Sequence, residues 1–143
     1  LQMQKSLVIM ILGFGNIFTP IGKEGGIHAA ETRVIFTNDK YHTLLSRRFD
    51  RKEDGKRIHF ASAMTLLGLN DGDNANTGHG YLDIVDFILQ NCTNVEDNLQ
   101  ELYRRVAFNI CIGNTDDHFR NHGFLLTAKG WQILATRLGV VEN

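Results

Sequence analysis

The residues whose types could carry out a reaction gather in one polar stretch, NTDDHFRN at positions 114–121. Phosphoryl transfer needs a carboxylate that orients the attacking hydroxyl and accepts its proton, and an oxygen ligand nearby for the metal bridging the nucleotide phosphates. Asp116 and Asn121 are of those types, with Arg120 between them as a cation for phosphate charge. Type and spacing alone leave two other readings open. Asp116, Asp117 and Asn121 could belong to a solvated loop whose side chains cap the neighbouring helix and turn. Alternatively, His118 and His122 with Asp116 could hold Zn2+ or Fe2+ in a metal-dependent hydrolase or nuclease. A strand running on from Asn121 counts against that set, because it would not keep an i, i+4 pair on one face.

Such a loop works only if rigid elements hold its ends. Upstream, Thr93 and Glu96 have the spacing of a capping box, and Val95, Leu99, Leu102, Val106 and Ile110 form one apolar stripe, so a long helix is predicted that ends at Gly113. Downstream, GFLLT at 123–127 reads as a strand, and residues 128–130 can turn the chain into a returning strand over 131–134. Residues 81–90 place Leu82, Val85 and Leu89 at helical spacing with Ile84 and Ile88 beside them, which predicts a second core-facing helix. A third is predicted over 58–67, ending at Gly68. Residues 70–80 read as a polar loop; the run from Asp71 begins like an EF-hand, but Ala75 falls at its third ligand position and Leu82 at the place of the bidentate Glu, so it reads as a loop only. Two β-prone runs, 31–37 and 41–46, flank Asn38, Asp39 and Lys40 and predict a hairpin. Residues 47–57, dense in charge of both signs, read as a solvated loop. Residues 1–20 show no clean period and are assigned to no element.

With 143 residues, 43% hydrophobic and 22% charged, the chain has the balance of one soluble globular domain. A net charge of -1 supplies no global field for nucleic acid or anionic membrane. The basic cluster Arg47, Arg48, Arg51, Lys52, Lys56 and Arg57 is half neutralised by Asp50, Glu53 and Asp54, with only Phe49 as a stacking platform, so neither direct nucleic-acid contact nor membrane binding is expected. Cys92 and Cys111 lie in apolar helical runs and read as buried thiols of a reducing, cytoplasmic protein. The apolar run at 6–13 is short for a signal peptide and far too short to span a bilayer.

Protein kinases place the base and a metal ligand as Asp and Asn five residues apart in a loop after a long helix, which is the separation of Asp116 and Asn121. The longer string GNTDDHFRNHGF at 113–124 resembles the catalytic-loop signature of the HipA-type serine/threonine kinases, Asn-Thr-Asp-x-His-x-Lys/Arg-Asn ahead of a strand. RRFDR at 47–51 followed by GKRIH at 55–59 resembles that family's Arg-Phe-Asp-Arg segment, and Gly130 with Trp131 its post-loop hairpin. The resemblance spans residues 25–135 and implies an α+β fold, a mostly helical, protein-kinase-like C-lobe with β-hairpins. It makes Asp116 the catalytic base and Asn121 the Mg2+ ligand, sets His118 and Arg120 near the nucleotide phosphates, and puts Arg47, Arg48 and Phe49 at the adenine side as a hinge. The implied cofactors are ATP and Mg2+, the reaction is transfer of the γ-phosphate to a protein serine or threonine, and the implied partner is a helix-turn-helix antitoxin. Some members are similar in targeting aminoacyl-tRNA synthetases.

The chain departs from that pattern at both ends. No glycine-rich phosphate loop is recognisable, and Lys5 and Lys23 are the only lysines before the hairpin. Where the family has Pro-x-Tyr-Asp, with a second metal ligand, this chain has ATRLGVVEN at 135–143, and no aspartate follows Asp117. Residues 1–24 and 136–143 are therefore expected to be unlike the family. The chain reads as truncated at both ends, an impaired kinase or a non-catalytic nucleotide- or protein-binding remnant.

Overall fold

A computed structural model describes residues 7–11, 32–36 and 42–134. Three short strands, β1 (Leu7–Ile11), β2 (Thr32–Phe36) and β3 (His42–Arg47), form an antiparallel sheet in the order β1-β3-β2. The expected hairpin is the β2–β3 pair, in register from Thr32 opposite Ser46 to Phe36 opposite His42, while its turn at 38–40 lies outside the described residues. Strand β1 comes from the stretch to which the sequence pattern assigned nothing. LVIMI is uniformly apolar and has no alternation to betray a strand. Its pairing with the other edge of β3, Leu7 opposite Arg47 and Ile11 opposite Thr43, is a long-range event that local pattern does not encode.

The second sheet sits closer to the loop of interest. Strands β4 (His59–Ser62), β5 (Gly123–Thr127) and β6 (Gly130–Leu134) are antiparallel in the order β4-β5-β6. The expected β5–β6 hairpin is present, closed by Thr127 Oγ1 donating to the Gly130 carbonyl at 2.8 Å. The helix predicted over 58–67 is a correction. Residues 59–62 pair with β5 instead, His59 opposite Leu126 and Ser62 opposite Gly123, and only α1 (Ala63–Leu66) is helical. Ser62 begins α1 as its N-cap, its Oγ accepting from the Thr65 N–H at 3.3 Å. A weak local helix preference yields to ladder hydrogen bonds on a strand that is distant in sequence.

Two longer helices pack on this sheet. Helix α2 (Tyr81–Asn91) starts where the Asp83 carboxylate accepts from the Gly80 N–H at 2.7 Å. Its buried face is Ile84 and Ile88, whereas Leu82 and Leu89 are 78% and 54% exposed, so the helix is rotated from the face expected. Both sets obey helical spacing. The choice falls to shape: Ile84, Ile88 and the buried Phe124 share one core cluster, and the Phe87 ring meets Phe124 edge-on at 5.0 Å. Cys92 caps the end of α2 and is half-buried, and burial pushes its thiol up to about 11.

Helix α3 (Val95–Cys111) is the long helix expected, but Thr93 does not cap it. The Thr93 N–H donates to the Trp131 carbonyl, and it is Asn98 that ties the entry together: its Nδ2 donates to the carbonyls of Thr93 and Asn94, and its Oδ1 accepts from the Ile133 N–H at 2.6 Å. The helix entry is thereby fastened to β6. Of the expected stripe, Leu102 is buried and Val95, Leu99 and Val106 pack against the core, while Ile110 is exposed. Cys111, at the last turn, is exposed rather than buried as expected. The core thus joins α1, α2, α3, β5 and Phe119 of the loop itself. A direct check of the helix face is chemical denaturation of two neighbouring variants: Ile88→Ala should cost about 2–5 kcal/mol, whereas Leu89→Ala should stay within about 0.5 kcal/mol of the parent.

Candidate functional site

The loop begins at a fixed point. Gly113 adopts φ +67°, a left-handed conformation that favours glycine, and ends α3 with two reverse bonds: its own N–H to the Ile110 carbonyl at 3.1 Å and the Asn114 N–H to the Asn109 carbonyl at 2.9 Å. The other end is fixed by burial. A single turn of 3-10 helix (Phe119–Asn121) sinks the Phe119 ring into the core, and the His122 carbonyl accepts from the Ala63 N–H at 2.6 Å. The loop therefore hangs between α3 and β5 with both ends anchored.

The two adjacent aspartates have opposite fates. The Asp117 side chain is 5% exposed, and three donors from three places converge on it. Tyr81 Oη donates to its Oδ2 at 2.7 Å, Asn109 Nδ2 to the same oxygen at 2.7 Å, and His122 Nε2 lies 3.1 Å from Oδ1 and 3.2 Å from Oδ2. Burial is the largest single influence and by itself would push this carboxyl up. The His122 hydrogen bond and charge, with the Tyr81 and Asn109 donations, outweigh it and hold the group below the usual carboxylate range. Burial, then the bond and charge of Asp117, push the Tyr81 phenol up in turn.

Asp116, by contrast, points to solvent with 63% of its side chain exposed. Its backbone is nonetheless held. The Asp116 N–H donates to Asn114 Oδ1 at 3.1 Å, Asn114 Nδ2 donates to Asn109 Oδ1 at 3.1 Å, and Asn109 passes the chain on to Asp117. Across the loop, Asn121 Nδ2 donates to the Asp116 carbonyl at 2.7 Å, which fixes the rotation of the amide. His118 Nε2 lies 3.8 Å from Asp116 Oδ1 and 3.5 Å from Arg120 Nη2. Arg120 Nη1 reaches Asp71 in the preceding polar loop at 2.6 Å. Asp116, His118, Arg120 and Asn121 are thus brought together on one short arc of chain.

The remaining expected site residues lie in the connection between the two sheets. Arg47 ends β3, Arg48 grips Asp50 through Nε and Nη2, and the Phe49 ring packs on Phe60 of β4 with centroids 5.2 Å apart. Arg51 shares the same carboxylate at 2.6 Å. Asp50 is held below its usual value, chiefly by Arg48, so this part of the charged run is internally paired and half-buried rather than freely solvated. The structure does not bring the transition-metal set Asp116, His118 and His122 together as one cluster. His122 Nε2 is committed to Asp117, and among the described residues no group of three or more His, Cys, Asp or Glu could hold a metal ion.

A set of residues that the sequence reading missed lies on α3. Asn98, Glu101, Arg105 and Asn109 are all buried, and Arg105 Nη2 donates to Glu101 Oε1 at 2.7 Å. Burial draws Arg105 below its usual value. Their spacing of three, four and four along the helix is the signal that could have found them.

Against this geometry, a sequence profile described as the HipA-like C-terminal domain matches residues 17–136. The chain belongs to this family. It is 28% identical over 114 residues to a Haemophilus influenzae (strain Rd) protein named "Putative kinase", covering 73% of this chain and 33% of that protein. Its fold is similar to that of a chain in the Shewanella oneidensis MR-1 toxin–antitoxin complex of HipA, HipB and operator DNA, with a TM-score of 0.77, 18% identity, 93% of this HipA-like chain and 36% of the other covered. The chain therefore spans about a third of the length of the relatives it matches. The mixed helix-and-sheet architecture is that of the HipA fold.

A carboxyl held below its unfolded value stabilises a fold fully above that value and ceases to do so as the pH falls through the folded one. For Asp117 the ordinary value is 3.8, so its contribution is present at neutral pH and fades below that point. Asp117→Ala is expected to lower stability at pH 7 by about 3 kcal/mol, through lost charged hydrogen bonds and stranded donors. Urea titrations from pH 7 to 2 should show the gap between variant and parent closing as Asp117 of the parent becomes protonated.

Proposed function

We propose that this HipA-like chain carries the phosphoryl-transfer loop of a protein serine/threonine kinase, with ATP and Mg2+ as cofactors. The observation that carries the reading is the arrangement of Asp116 and Asn121: one exposed carboxylate and one amide, on a single anchored loop, joined by the Asn121-to-Asp116 hydrogen bond. The name of the Haemophilus relative supports the same class of reaction.

In this reading the Asp116 carboxylate orients the attacking hydroxyl of the protein substrate and takes its proton. Arg120 and His118 face the phosphates. The donor set suits Mg2+ better than a softer metal, because an amide oxygen is a hard ligand and Mg2+ completes its shell with phosphate oxygens and water. Asn121 would hold that ion, and the ion would neutralise charge building on the transferred group. Arg47, Arg48 and Phe49, in the link between the sheets, would face the adenine; the salt bridges from Asp50 to Arg48 and Arg51 stiffen that link.

A helix-turn-helix antitoxin is the partner this reading favours, supported by the HipA–HipB assembly of the structural relative. Free Cys92 and Cys111 support a reducing, cytoplasmic setting, and among the described residues no helix is long and apolar enough to cross a membrane.

Binding rather than turnover is the appropriate test for a chain that spans a third of its relatives. Calorimetry of the purified protein should show ATP uptake that needs Mg2+. Asn121→Ala should weaken it by about tenfold or more, equivalent to about 1.4 kcal/mol, while Asp116→Ala should leave it nearly intact, since the base acts on the hydroxyl and not on the nucleotide. Equal affinity with and without Mg2+, or an unaltered Asn121→Ala variant, would count against the loop as the site.

A further inference from the structure

The carboxylate next to the exposed Asp116 has no part in the scheme above, yet it is the better-connected of the two. We infer that Asp117 is the positioning residue of the site: by gathering Tyr81, Asn109 and His122 it sets the backbone that presents Asp116 and Asn121. This rests on the reading of the loop as a nucleotide site and deepens it.

The connectivity carries the inference. From Asp117 one path runs back to the backbone of its neighbour, through Asn109 Nδ2, Asn109 Oδ1, Asn114 Nδ2 and Asn114 Oδ1 to the Asp116 N–H, with every step between 2.7 and 3.1 Å. The amide of Asn109 is oriented by that path, with its nitrogen on Asp117 and its oxygen on Asn114. A second path runs forward to His122, whose ring is 3% exposed and whose carbonyl is held by Ala63, so the residue after Asn121 is fixed at both side chain and backbone. Tyr81 closes the arrangement from the first turn of α2, its ring edge-on to His122 at 5.7 Å. The Asp116–Asn121 arc is therefore clamped on both flanks by one carboxylate, whereas Asp116 itself is left exposed. Hydrogen-bond partners behind a ligand commonly govern affinity in this way.

A purely structural role and a positioning role are separated by a swap. Asp117→Asn keeps the shape and removes the charge, and Asp117→Asn with Asn109→Asp moves the carboxylate to the other end of the same hydrogen bond, so that residue 117 still accepts from His122 and residue 109 still accepts from Asn114. Two quantities are read on the full chain: amide hydrogen exchange of Asp116 and Asn121 without nucleotide, and Mg2+-dependent ATP affinity. Asp117→Asn is expected to speed exchange at both amides and to weaken Mg2+·ATP binding by about 10- to 100-fold, and the swap is expected to restore much of both. Unchanged exchange and affinity in folded Asp117→Asn would overturn the inference. So would a swap that regains thermal stability but neither of the two readouts. Tyr81→Phe, which removes one donor from an intact carboxylate, carries the same test if Asp117→Asn does not fold, with a smaller effect in the same direction expected and none overturning the idea. If the parent chain takes up no Mg2+·ATP, the nucleotide reading falls, and exchange alone decides the positioning role by the same two outcomes.

Discussion

A carboxylate taken out of water costs several kcal/mol unless donors surround it, and the arrangement at Asp117 is shaped by that constraint. Its donors come from the start of α2, the end of α3 and the start of β5, so satisfying one charge fixes the relative placement of three elements. The loop between α3 and β5 has no hydrophobic face broad enough to hold it by packing alone. Phe119 is its one core side chain. Polar contacts supply the remainder, and they do so with few spare degrees of freedom because each donor is itself held elsewhere.

The polar face of α3 extends this logic along the molecule. Asn98 fastens the helix entry to β6, Glu101 and Arg105 pair in the interior, and Asn109 delivers the far end to Asp117 and Asn114. A helix that presented only apolar residues here would pack as well, but it would leave the loop and the strand edge without partners. The helix thus serves as a rigid polar rail beneath the site, while its apolar stripe and the Ile84–Ile88 face of α2 supply the cohesion. The same division appears between the two aspartates: Asp117 is buried and holds the loop, and its neighbour Asp116 is left exposed.

Much of this was legible from residue types. The helix–loop–hairpin order around residues 114–121, the stop at Gly113, the β2–β3 pair and the β5–β6 hairpin all follow from periodicity and turn composition, because each is determined locally. What failed to show has long-range causes. LVIMI becomes a strand only by pairing with β3, and residues 59–62 become one only by pairing with β5. Spacing does not decide the face of α2, because leucines and isoleucines both satisfy it; the shape of the core around Phe124 does. At the site, spacing singles out Asp116 and Asn121, whereas nothing in the sequence pattern sets Asp117 apart from the rest of the loop. Its importance comes from Tyr81 and Asn109, which sequence alone does not place beside it.

The most direct test of a nucleotide site built on a loop held by Asp117 is a crystal structure of the chain with Mg2+ and a non-hydrolysable ATP analogue. Agreement would be a Mg2+ at about 2.1 Å from Asn121 Oδ1, the terminal phosphate facing Asp116, and Asp117 still accepting from Tyr81, Asn109 and His122. A nucleotide bound away from residues 114–121, or a metal seated without Asn121, would contradict it.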